Sequence, residues 1–180
     1  MKTTTLVAFF ALAGPCQRLA VTQQPARAAP TMSQATIRRN AVTYVRWNLP
    51  DLARLVLARG AYAEKYDLFL DLNPYLLRGQ FDGDSLIDLA IQVVEKGTGK
   101  RGIAIIHAAD SSVHILGAGT PFGNGGDDFS WLWVWHAEAR NARRAIPSVG
   151  REILLVEKPE SAGGIIWWNG TEYVWTQYGD

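Results

Sequence analysis

Residues 80–91 read Gln-Phe-Asp-Gly-Asp-Ser-Leu-Ile-Asp-Leu-Ala-Ile. Three aspartates, Asp82, Asp84 and Asp88, crowd around Gly83, and an apolar run follows at once. The first half predicts a tight turn, because glycine admits a bend that other residues resist. The second half predicts a strand, since Leu86 to Glu95 is rich in Leu, Ile and Val with no helical spacing. A turn feeding directly into a strand is the grammar of antiparallel sheet, and the rest of the chain repeats it.

Outward from that point the side-chain period stays near two. Strands are expected over Tyr66–Leu70, Tyr75–Phe81, Leu86–Glu95, Gly102–His107, Val113–Leu116, Phe129–His136, Glu152–Glu157, Gly164–Trp168 and Glu172–Tyr178, separated by turn signals. Lys96-Gly97-Thr98-Gly99-Lys100 reads as a hairpin loop. Asn169-Gly170 reads as a two-residue type I′ turn, because both residue types tolerate positive φ. Short connections favour antiparallel pairing, and strands do not alternate with helices, which excludes a doubly wound parallel sheet. One amphipathic helix is expected after Pro50, with Leu52, Leu55 and Val56 on its inner face, Asn48 or Asp51 as cap, and Gly60 at its end. The expected fold is therefore α+β, mainly antiparallel sheet with one N-terminal amphipathic helix.

The N-terminal residues are read as an export leader. Lys2 precedes the short apolar run Leu6–Ala13, and Ala26-Arg27-Ala28 offers small residues where a signal peptidase reads. Residues 1–28 are assigned as signal peptide, 29–45 as linker, and 46–180 as a single globular domain, which places the mature chain in the periplasm or outside the cell. A second reading starts translation at Met32. Ala13-Gly14-Pro15-Cys16 resembles a lipobox except for Pro15. No segment is long and apolar enough for a transmembrane helix. Cys16 is the only cysteine and lies inside the leader, so the mature domain has no disulfide, thiolate ligand or cysteine nucleophile. Hydrophobic residues at 48% and charged residues at 19% mark a globular chain rather than a disordered one. A formal charge of +1 supplies no field for nucleic acid.

The acidic loop is the candidate metal site. Counted from Gln80, the side chains of Gln80, Asp82, Asp84 and Asp88 fall at positions one, three, five and nine, with the Leu86 carbonyl at seven. Alternate residues of a tight loop can present oxygens to Ca²⁺, which accepts six to eight of them in flexible geometry. This pattern resembles the FG-GAP or VCBS type of calcium loop, whose core runs Asp-Phe-Asp-Gly-Asp-Gly-x-x-Asp-Leu-Ala-Val. Phe81-Asp82-Gly83-Asp84 and Asp88-Leu89-Ala90-Ile91 match it in place, while Gln80 replaces an aspartate and Ser85 replaces a glycine. The resemblance covers about a dozen residues and implies an exported domain with no known activity. A propeller needs several blades, and this chain carries one motif.

Two further features invite a partner. Phe129, Trp131, Trp133 and Trp135 alternate with Ser130, Leu132, Val134 and His136, so a strand would place all four aromatics on one face. That stripe is either core or an exposed platform for a protein or glycan. Before it, Pro121-Phe122-Gly123-Asn124-Gly125-Gly126-Asp127-Asp128 is a glycine-rich loop ending in two acids, which would complete a cation site if the loop folded toward Asp84. His107, His114 and His136 lie on three expected strands without zinc spacing. No serine stands in a nucleophile-elbow context. The leading expectation is a non-enzymatic exported binding domain with a Ca²⁺-stabilised loop. The alternatives are a metal-assisted hydrolase of an envelope polymer, using Asp82, Asp84 and a histidine, and an inhibitor or immunity-type protein that inserts the glycine-rich loop.

Overall fold

A computed structural model describes residues 33–143 and 145–178. The expected leader lies outside them. The described chain is α+β and mainly antiparallel: helices α1 (Gln34–Asn48), α2 (Asp51–Leu57) and α3 (Gly60–Lys65) precede nine strands. The strands are β1 (Tyr66–Leu68), β2 (Leu76–Gly79), β3 (Asp88–Glu95), β4 (Arg101–Ile106), β5 (Val113–Gly117), β6 (Val134–Ala139), β7 (Glu152–Lys158), β8 (Ala162–Trp168) and β9 (Tyr173–Tyr178). Each overlaps one of the nine expected segments. No helix among the described residues is long and apolar enough to cross a membrane.

The strands form two sheets. In the first, β3 pairs with β4 and β4 with β5, while β1 and β2 share the other edge of β3. Gln92 joins those two partners: its carbonyl accepts from Phe69 N–H and its N–H donates to the Tyr75 carbonyl. The second sheet is the meander β6-β7-β8-β9. Ala90, Ile103, Ile105 and Leu116 meet Leu154, Val156, Ile166 and Trp168 in one hydrophobic cluster between the sheets. The opposite face of the first sheet, through Leu89, Ile91 and Ile106, packs on Leu49, Ala53 and Val56 at the helices. Because β3 is covered on both faces, it shows no polar alternation and buries Asp88 to Val93. Each fully buried Leu or Ile in it contributes about 1.5–3 kcal/mol.

Three expectations are corrected. Residues 34–45, expected as linker, belong to α1, which Ser33 caps by accepting from Thr36 N–H. Most of α1 is exposed, and Val45 seats it on the α2 cluster, so its amphipathic signal is faint. It ends where Leu49 turns extended, as a residue before proline prefers. The single expected helix is two: Gly60 begins α3 instead of ending α2, and Leu55 points outward at 66% exposure. Asn169-Gly170 does lie in the β8–β9 hairpin, but Trp168 pairs with Tyr173, so the loop has four residues. Asn169 Oδ1 closes it by accepting from Thr171 and Glu172 N–H, which a two-residue turn would not allow.

Candidate functional site

The acidic loop is the connection between β2 and β3, which close on the pair Gly79–Asp88. Inside it the carboxylates fold the backbone. Asp82 Oδ1 accepts from Asp84 N–H at 3.0 Å, and Asp84 Oδ1 accepts from Leu86 N–H at 2.7 Å. Gln80 Nε2 donates to the Ser85 carbonyl at 3.3 Å. Gly83 has φ +90°, and a Cβ there would lie 2.5 Å from the Val149 carbonyl oxygen. Two reasons therefore fix glycine at that position, handedness and close approach. Ser85 also adopts positive φ, 75°, at the position where the resembled loops carry glycine.

Asp88 is the anchor. It is fully buried, and its carboxylate accepts three backbone N–H bonds: Phe81 at 2.9 Å and Asp82 at 3.3 Å on Oδ2, and Ala108 at 2.9 Å on Oδ1. The loop is thereby tied to the β4–β5 connection. It is also tied to the second sheet, because the Gln80 carbonyl accepts from Arg151 and Glu152 N–H and Gln80 N–H donates to Glu152 Oε2. Burial holds the Asp88 carboxyl above the usual carboxylate range; the Ala108 and Phe81 amides oppose that, and the nearby Asp82 charge adds to it.

One oxygen from each of Asp82, Asp84 and Asp88 lies within 4.8 Å of the others. Such a cluster can hold a metal ion. The hydrogen bonds do not exhaust it, since an ionised carboxylate offers about four acceptor sites. The Leu86 amide supports Asp84, and the Leu86 side chain is 48% exposed.

Behind the loop lies a buried polar cluster that local sequence patterns do not reveal. His107 Nδ1 is 3.6 Å from Asp82 Oδ2, with side chains only 7% and 11% exposed. His107 Nε2 is hydrogen-bonded to the Tyr173 hydroxyl at 2.7 Å. His107 thus stands between Tyr173, to which it is hydrogen-bonded, and Asp82, at ion-pair distance. His114 packs on His107 with ring centroids 4.6 Å apart, and Trp168 stands edge-on to both imidazoles. Burial pushes the Tyr173 phenol far above its ordinary range, with the Asp88 and Asp82 charges adding, so Tyr173 stays neutral. Burial also lowers His114, with His107 reinforcing it, which favours the neutral ring. Only the period-two parity of Ile103, Ile105 and His107 pointed inward along the sequence; Tyr173 lies 66 residues away from His107.

The other expected residues lie elsewhere. Asp127 pairs with Lys100 Nζ. Asp128 Oδ1 accepts from Arg101 N–H at 2.9 Å and Ser130 N–H at 3.0 Å. These contacts sit at the start of β4, whereas Asp88 holds Ala108 beyond its end, and β4 itself spans roughly 17 Å. Asp127 and Asp128 therefore do not complete a site with Asp84. The aromatic stripe is also corrected: Phe129–Trp131 is a 3-10 turn capped by Asp128, and β6 begins only at Val134. Alternation breaks as a result. Phe129 and Trp135 are core, Trp131 is half-buried with Nε1 donating to the Gly125 carbonyl, and Trp133 is 61% exposed. His136 is exposed and takes no part in the buried cluster. Comparison with models of known protein families, with curated proteins and with solved structures returned no match.

Proposed function

We propose that the chain is a non-enzymatic, exported binding domain whose 80–88 loop takes Ca²⁺ in the manner of FG-GAP or VCBS calcium loops. The observation that carries the reading is the convergence of Asp82, Asp84 and Asp88 within 4.8 Å on a loop hydrogen-bonded to both sheets. A cation there would offset the charge that raises Asp88 and would brace the sandwich rather than perform chemistry. Export rests on Lys2, the apolar run Leu6–Ala13 and the small residues at Ala26 and Ala28. The test is a thermal melt with calcium and with chelator. At a calcium concentration a hundredfold above the dissociation constant, stabilisation of about 2.7 kcal/mol is expected, a rise of several degrees in a chain of this size. Asp84→Ala should abolish the rise, and an unchanged wild-type midpoint would sink the proposal.

A second reading, a metal-assisted hydrolase of an envelope polymer, has one observation in its favour: His107 stands beside Asp82. Burial weighs against it, because both imidazole nitrogens already face protein groups. Release of soluble fragments from purified cell-wall polymer by the wild-type chain, lost in His107→Ala, would establish it.

A further inference from the structure

Residues 121–124 and the β9 strand line an open surface groove of about 480 Å³ that is separate from the acidic loop's carboxylates. Its floor is aromatic. The Trp175 indole and the Phe122 ring stand nearly perpendicular, 80° apart with centroids at 6.2 Å, and both are half-buried. Trp175 is closely packed: it lies over Gly164, where a Cβ would come within 2.1 Å of the indole, and against Gly123, where a Cβ would come within 2.4 Å of the Trp175 Cβ. Gly123 and Gly164 thus serve close approach to this one side chain. The groove's rim is built from planar polar groups. Asn124 Nδ2 donates to Gln177 Oε1 at 3.4 Å, and Trp175 Nε1 donates to the same oxygen at 3.2 Å. That arrangement engages one end of each amide. Among the described residues these hydrogen bonds leave Asn124 Oδ1 as an acceptor and Gln177 Nε2 as a donor, both on exposed residues, with the exposed Glu172 carboxylate also lining the groove.

We infer that this groove is a saccharide subsite. A sugar ring presents an apolar C–H face and an equatorial rim of hydroxyls. The C–H face suits an aromatic floor, and each hydroxyl is at once donor and acceptor, which suits a rim that offers both an amide oxygen and an amide nitrogen. An open groove with an aromatic lining and a few placed polar groups suits a ligand that lies along the surface rather than one that is engulfed. The inference rests on the binding-domain reading and names its ligand class; it does not require the calcium ion.

The test is isothermal titration of the full-length chain with four soluble probes: tetrasaccharides of β-1,4-glucose, β-1,4-N-acetylglucosamine, β-1,4-xylose and α-1,4-glucose. Saturable binding of at least one is expected. Asn124→Ala and Gln177→Ala should each weaken it about tenfold, the equivalent of one lost hydrogen bond, with unchanged melting midpoints because both residues are exposed. Trp47→Ala, on an exposed aromatic of α1 outside the groove, should leave affinity unchanged. Absence of saturable binding to all four probes, or equal affinity in the Asn124 and Gln177 variants, overturns the subsite. The calcium-dependent melt is read on the same samples, so a protein that responds to calcium but binds no sugar loses the subsite and keeps the domain reading.

Discussion

Two acidic loops flank β4, and they use the same residue type in opposite ways. At one end Asp82, Asp84 and Asp88 face one another, with a histidine as the nearest basic side chain in the described ion pairs. At the other end Asp127 pairs with Lys100, and Asp128 caps a 3-10 turn beside Arg101. Their electrostatics diverge accordingly. Burial raises the Asp88 carboxyl and Asp82 worsens it, despite the amides. Burial also works against the ionised form of Asp128, but the Arg101 and Ser130 hydrogen bonds and the Arg101 charge outweigh it and lower that carboxyl. An acidic loop that has its own cations is complete. One whose carboxylates repel each other has a use for an external cation, and this distinguishes a metal candidate from a cap better than the count of aspartates does.

The largest expected effect tests the anchor. Asp88→Ala orphans three buried backbone amides and should cost about 3–5 kcal/mol, against about 1–2 kcal/mol for Asp128→Ala, whose partners lie nearer to water. Chemical denaturation of the two variants measures the gap, and equal losses would erase the asymmetry between the loops. Next in size is Gly83→Ala. A left-handed backbone angle and a carbonyl 2.5 Å from the new methyl should cost about 2–3 kcal/mol; a neutral result would mean that the loop and the 149–152 segment separate freely.

The pH dependence has opposite signs at the two ends. The raised Asp88 contributes stability that is fully present below the unfolded carboxyl value of about 3.9 and is lost as pH rises through its folded value. The lowered Asp128 contributes stability present above about 3.9 and lost as pH falls through its folded value. In chelator, Asp88→Asn should flatten the decline on raising pH, and Asp128→Asn the decline on acidification; slopes changed in the same direction would contradict the comparison. The smallest effect is a gain. Ser85→Gly removes the penalty of a serine at φ 75°, less glycine's extra unfolded-state entropy, for a net of about 0.5–1 kcal/mol. A loss of stability would show that the Ser85 side chain has a role beyond its backbone angle.

Legibility followed the range of the interactions. Strands β3, β4 and β7 were plain in the sequence because period and turn chemistry are local. The acidic loop was visible for the same reason: Asp82, Asp84 and Asp88 lie within seven residues. The aromatic run 129–135 misled because alternation assumes a continuous strand, and Asp128 instead caps a 3-10 turn that resets the phase before Val134. Helix α1 was missed because few of its residues are buried, so no apolar stripe announces it. For Asp127 and Asp128 the sequence left a plain surface loop and a cation site with Asp84 both open, since nothing local distinguishes an acid that will meet Lys100 from one that will meet Asp84.

By itself the sequence determined the class of fold, the approximate places of the nine strands and the position of the acidic turn, because steric limits and hydrophobic period act between near neighbours; that Gly83 also admits no Cβ against the Val149 carbonyl is a tertiary fact. Tertiary structure alone decided that Asp88 is an anchor for three amides, that His107 joins Asp82 to Tyr173, and that Trp175 floors a groove. Those roles depend on which chain segments share one buried volume, and that is set by the packing of two sheets rather than by any stretch of residues.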